Sequence, residues 1–328
     1  MANWNIITFL FVLIFAISFC VAEEFAEIEY ANNEIFAENR SQNSNTNDSS
    51  WTLENFLGGL NNYDSDKKNH PLLKFEGISN AIAVPNTKLD FAPMKGIDIT
   101  YGFLRNINDY VEYYKYDRDY RYSANSSEVE NIVYFGSEQA FLGIYSTGLN
   151  LNAPINQKCE SWNFGFSYEN AYGYRLASDW NLYLAHRSAL FFTHLDFENF
   201  LLEPFPMLKE FDETVKFGMQ YSPSVKVQYS KSVSLNLSYE YSLTYRDFRI
   251  GRYAAGYIFE SLAQRWIDTQ EKEYLAYFGK YYPIFYFAYK NAISYLLYSQ
   301  RKEQEFFPFG GAKPLRFEGY KVGIEFNF

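Results

Sequence analysis

The chain is poor in the residues that most often build chemistry. It has two cysteines and three histidines among 328 residues. Cys20 belongs to an apolar leader, so Cys159 would stand alone in an exported chain and no intramolecular disulfide framework is possible. His70, His186 and His194 share no Cys/His ligand spacing, which excludes the common zinc patterns. No Gly-rich phosphate loop and no paired-carboxylate arrangement stands out, so neither a metal nor a cofactor is expected. Positive charge is also scarce. Lys and Arg total 29 against 39 Asp and Glu, a formal net charge of −10, and no dense basic cluster is present. Nucleic acid is excluded as a partner on that ground, because a phosphate backbone is bound by displacing counterions with Lys and Arg.

Aromatic residues are what the chain has in abundance. They make up 21% of it, with 31 Tyr and 32 Phe, well above the share in an ordinary soluble domain. Residues 1–22 read as a secretory signal peptide: an apolar stretch of h-region length covers 6–19, and Cys20 and Ala22 sit at −3 and −1 before Glu23. No Lys or Arg precedes the run; an uncleaved anchor is the alternative, and the run is short for one. Residues 23–70 are rich in Asn, Ser and Glu, with too little apolar area to offset ordering entropy, and are expected to be a flexible segment. Inside it Leu53, Phe56, Leu57 and Leu60 have helical spacing behind a capping Ser50, which predicts a short helix near 51–60.

From residue 71 to 328 the period changes to two. Trp162, Phe164, Phe166 and Tyr168 alternate with Asn163, Gly165, Ser167 and Glu169. The longest such run places Val233, Leu235, Leu237, Tyr239, Tyr241, Leu243 and Tyr245 on one face and Ser, Asn, Glu and Thr on the other. Small polar residues suit a confined interior, whereas a water-facing sheet usually shows long charged ones. Tyr toward the strand ends with aliphatics between them matches interfacial girdles around a hydrocarbon band. In hydrocarbon an open sheet edge is untenable, so the sheet must close. The expected fold is therefore all-β: a transmembrane antiparallel β-barrel over 71–328.

Thirteen segments qualify as strands, and ten to twelve are expected in the barrel. Tight turns are expected at Ser222-Pro223-Ser224 and Ser230-Lys231-Ser232, a chain reversal at His186 to Ser188, and a hairpin within "YYPIFYFAYKNAISYLLY". The charged, Tyr-rich stretches 108–131 and 246–273 are expected to be long loops on the side opposite the short turns.

The chain ends on "KVGIEFNF". This resembles the C-terminal β-signal of bacterial outer-membrane β-barrel proteins, with Lys321, Gly323, Phe326 and Phe328 in its polar, glycine, aromatic and terminal aromatic places. The resemblance covers eight residues. It implies residence in the outer membrane of a Gram-negative envelope, outer-membrane lipid as surroundings, and the barrel-assembly machinery as a partner that reads the last strand.

The leading functional expectation is a porin-like barrel whose lumen, lined by Lys216, Gln220, Asn236, Ser238, Glu240, Lys321 and Glu325, admits or binds small polar solutes. The alternative is a non-conducting structural or surface-recognition barrel acting through its Tyr-rich loops. A third reading is a lipid hydrolase: His186 and Ser188 lie two apart on one strand face, a spacing similar to that in outer-membrane phospholipase A, with Asn199 as a third member. The flanking residues of that family's signature are absent, and a reversal at His186 to Ser188 would carry Asn199 to the far membrane face. No catalytic residue is therefore expected and the chain is read as not an enzyme.

Overall fold

A computed structural model describes residues 69–85, 92–106, 131–149, 158–198, 206–247, 250–304 and 311–328. The expected signal peptide, the short helix near 51–60 and the flexible segment up to residue 68 lie outside them, while Asn69 and His70, expected to end that segment, open the first strand. Eight strands are present among the described residues: β1 (Asn69–Ala83), β2 (Met94–Asn106), β3 (Ile132–Ser146), β4 (Cys159–Ala177), β5 (Trp180–Phe197), β6 (Thr214–Tyr229), β7 (Val233–Thr244) and β8 (Leu315–Asn327). Each pairs antiparallel with its chain neighbours, and β8 pairs with β1 to close a barrel. Once around the ladder, from Leu72 through Gly102, Gln139, Ser167, Ala189, Gln220, Ser242 and Phe317, the pairing returns to β1 at Ile82. The stagger is thus ten residues. With eight strands, the bore is one that side chains can fill.

The period of two decides which side of the wall each residue takes. Ile97, Ile99, Phe103, Leu142, Ile144, Phe166, Leu235 and Leu237 are exposed on the outward face, while the residues between them face the bore. Glycine makes room there for large rings. A Cβ on Gly218 would fall against the Phe191 ring and 2.6 Å from the Leu243 carbonyl oxygen.

The strand count is lower than expected for three physical reasons. Segments expected to be separate strands are halves of single long ones: 129–136 and 139–150 merge in β3, and His186 to Ser188 is the middle of β5. Ser222-Pro223-Ser224 lies inside β6 and is no turn. Pro223 lacks an N–H, and the pairing with β7 lapses between Tyr221 and Ser224 while the pairing with β5 runs on through His186. Finally, the expected hairpin in "YYPIFYFAYKNAISYLLY" is a helix. Its buried residues Tyr282, Tyr286, Lys290, Ser294, Leu297, Tyr298 and Arg301 recur every three to four positions, and Pro283 occupies the first turn, where a proline is tolerated.

The connection between β7 and β8 carries that helix and two more: α1 (Ile250–Thr269), α2 (Glu271–Phe278) and α3 (Tyr282–Arg301). They lie against the outside of the wall. α3 runs obliquely from Tyr174 on β4, whose hydroxyl donates to the Lys280 carbonyl at 2.7 Å, to Glu318 on β8, which accepts from Tyr298 at 2.5 Å. α1 returns antiparallel beside it, since Glu260, Gln264 and Asp268 meet Arg301, Ser294 and Lys290 in turn.

The long connections do not all fall on one side. Residues 107–131 join β2 to β3 at the end that holds the start of β1, the end of β8 and the tight turns after Ala177 and Tyr229. The stretch 246–273, expected to be a loop, is largely α1.

Candidate functional site in the barrel lumen

Nine charged side chains meet inside the bore: Lys74, Glu76, Asp98, Glu169, Arg187, Lys226, Glu240, Lys321 and Glu325. None is more than 3% exposed, so bulk water does not reach them. They are paired instead. Glu76 takes Lys74 at 3.0 Å and Arg187 at 3.4 Å, Lys226 lies 2.7 Å from Glu325 and 3.5 Å from Glu169, and Lys321 bridges Asp98 and Glu240. Neutral donors fill several of the remaining acceptor positions, while Glu169 Oε1 and two of the Arg187 nitrogens are left without a hydrogen-bond partner. Asn236 donates to Glu76 at 2.8 Å, Gln139 to Glu169 at 2.8 Å, Gln220 to Glu240 at 2.6 Å and Asn80 to Glu240 at 3.0 Å, while the Tyr145 hydroxyl donates to Asp98. Two cations also sit over rings, Lys226 over Phe135 at 4.3 Å and Arg187 over Phe141 at 5.0 Å.

Apolar layers close the bore beyond this cluster. Toward the start of β1 and the end of β8, Leu72, Leu104, Val133, Phe135, Ala171, Tyr183 and Ala185 pack together. At the opposite mouth a 3-10 turn, Pro206–Glu210, brings Leu208 and, just after it, Phe211 onto Ile82, Met94, Leu195, Phe197 and Phe317. Between the mouth and the charges lies a void of about 10 Å³ lined by Asn80, Tyr145, Ser161, Asn163 and Glu240. That is room for about one water.

Six of the seven residues proposed from sequence as lumen lining lie in this interior. Gln220, Asn236, Glu240, Lys321 and Glu325 belong to the network, and Ser238 is buried opposite Lys321. Lys216 does not join them: at the mouth, it donates to the Arg246 carbonyl at 3.0 Å and lies 5.7 Å from the Phe211 ring. Sequence reasoning passed over Lys74, Glu76, Asp98, Arg187 and Lys226. The signal that could have found them is charge of both signs on the inward parity of apolar strands, as in "GIDITYG", where Asp98 and Thr100 alternate with Ile97, Ile99 and Tyr101.

His186 and Ser188 share the outward face of β5, but His186 is turned to α3. Its Nδ1 lies 2.7 Å from Asn291 Oδ1 and its Nε2 lies 3.4 Å from Ser294 Oγ. Ser294 also accepts from the Gln264 amide at 2.7 Å and is entirely buried. A serine, a histidine and an asparagine thus stand in line, yet the serine is enclosed between helix and wall. Asn199 lies outside the described residues. In the terminal motif, Lys321 and Gly323 face the bore and Phe328 is exposed, its N–H donating to the Pro71 carbonyl at 2.9 Å.

No family model and no curated protein matches this chain. Among solved structures it is similar to Neisserial surface protein A, with 11% identity, TM-score 0.36, and 79% of this chain and 97% of that one covered. It is also similar to Ail, the attachment invasion locus protein of Yersinia pestis, with 7% identity, TM-score 0.32, and 80% and 99% covered. At these scores neither likeness carries an argument about function.

Proposed function

We infer that the chain is an outer-membrane β-barrel that conducts nothing and catalyses nothing, a lipid-embedded scaffold whose working surface is its exterior. The observation that carries this reading is the filled bore: nine paired charges between two apolar layers. A solute passing through would have to separate buried ion pairs, each break costing about 3–5 kcal/mol. The outward apolar face supports the membrane, because isoleucine, leucine and phenylalanine in such numbers would otherwise be left in water. Closure of β8 on β1 meets the demand of hydrocarbon that no sheet edge stay unpaired. The terminal motif supports the barrel-assembly machinery as a partner. The porin-like reading requires a passage, and the filled bore favours the non-conducting one over it.

The test is single-channel recording in a planar bilayer, on protein whose folding is confirmed by heat-dependent gel mobility. A folded, silent barrel is expected. Discrete ionic steps whose size changes in Glu240→Gln or Lys321→Met would overturn the reading and restore a pore.

A further inference from the structure

The three helices are arranged the wrong way round for water. α3 has twenty residues and two charges, Lys290 and Arg301, and both are 3% exposed because both face inward. Lys290 donates to Asp268 and to the Gln264 carbonyl, each at 2.7 Å, and Arg301 donates to Glu260 at 2.5 Å and to the Tyr221 hydroxyl at 2.8 Å. Among the described side chains of the helices, Leu262, Trp266, Ile284 and Leu296 are each more than 40% exposed, and Arg265 is exposed beside Trp266. A helix lying on a soluble domain has the opposite polarity.

The wall beneath is also unusual. Over most of its circumference the outward mid-strand positions are aliphatic or aromatic, the exposed Glu138 on β3 apart, but one sector carries buried or half-buried polar groups on Asn170, His186, Ser188, Tyr221 and Tyr241. Those groups would be costly to leave against acyl chains. The helices supply hydrogen-bond partners to His186 and Tyr221 and ring contacts to Tyr241, while Asn170 accepts from Tyr134 on the wall itself. His186 meets Asn291 and Ser294, and Tyr221 donates to Glu260 at 2.9 Å. The Tyr241 ring packs on Tyr295 and Tyr298. Phe164 and Phe166 on β4, Leu237 on β7 and Tyr320 and Val322 on β8 are likewise exposed and apolar.

We propose that α1, α2 and α3 form a collar lying in the lipid annulus, with the acyl chains of the bilayer as its partner, and that it roofs the polar sector of the wall. The proposal rests on the reading of the barrel as a membrane protein. It explains why no helix among the described residues is apolar enough to cross a membrane by itself: the inward face is polar because the wall, and not lipid, satisfies it. It also places the exposed polar residues. Arg265, Asp268, Thr269 and Glu273 lie where α1 gives way to α2, Lys280 just precedes α3, and Gln300 and Glu303 lie at its far end, so α3 itself carries no exposed charge.

The test is site-directed spin labelling of the full chain refolded in vesicles, with Cys20 and Cys159 replaced by Ala. Labels go singly at Ile284, Leu296, Val322 and Glu273, all exposed positions that tolerate a label, and each refolded protein is checked by heat-dependent mobility. Collision with oxygen, which partitions into lipid, is compared with collision with a water-soluble nickel chelate. Oxygen should dominate at Ile284 and Leu296 as it does at Val322, and nickel should dominate at Glu273. Nickel-dominated relaxation at Ile284 and Leu296 with oxygen still dominant at Val322 would overturn the collar and leave the membrane barrel standing. Nickel dominance at Val322 as well would overturn the barrel reading itself.

Discussion

Replacing Lys226 by Met tests whether the bore is dry. The ammonium lies 2.7 Å from Glu325 and 3.5 Å from Glu169, and the side chains of all three are 2% exposed or less. At an effective dielectric near 20 these attractions are roughly 6 and 5 kcal/mol. Met removes both, but it also removes the cost of burying the ammonium, so the net loss is smaller than their sum. What remains is two carboxylates with no cation between them, Glu169 keeping only its bond from Gln139. Stranding buried charge in this way costs about 3–5 kcal/mol. The measurement is urea unfolding in vesicles followed by tryptophan fluorescence, with a linear extrapolation for each variant. Lys226→Met should lose that amount, and the double variant with Glu325→Gln should recover part of it, because the second change neutralises one stranded acid. A Lys226→Met barrel within about 0.5 kcal/mol of the parent would refute the reasoning. It would mean that water solvates the cluster, and a solvated cluster is what a conducting lumen would contain.

Three shorter tests bear on other parts of the molecule. Gly218→Ala should destabilise the same urea transition by about 1–3 kcal/mol, since a methyl group there overpacks the Phe191 ring; a neutral result would show the interior to be loosely filled. A serine-directed fluorophosphonate should leave Ser294 unmodified in the folded barrel, because the hydroxyl is enclosed and already bonded to Gln264; labelling that disappears in Ser294→Ala would revive the lipid-hydrolase reading with Ser294, His186 and Asn291 as its members. Removal of Phe328, an exposed side chain, should leave refolding of the purified protein nearly unchanged while lowering the fraction assembled in cells; equal losses in both would make the residue a packing element and not an assembly signal.

How much of this was legible in the sequence differs between the barrel and what covers it. Alternation in β4, β7 and β8 is a local property of consecutive side chains, so period, facing and closure followed from it. The lengths of β3, β5 and β6 did not, because polar residues in mid-strand look like turns when their partners are hidden. His186 is outward and polar, and only α3, more than a hundred residues later, makes that tolerable. The same partnership disguised α3. Its aromatic run matches a strand at Tyr281, Phe285, Phe287 and Tyr289, while Lys290 and Asn291 in its middle argue against any lipid-facing helix. Both objections vanish once the two polar stripes face each other. A polar sector on a lipid-facing wall and a helix polar on one side are each improbable alone, and each supplies what the other lacks. That mutual dependence is why neither could be read from its own segment.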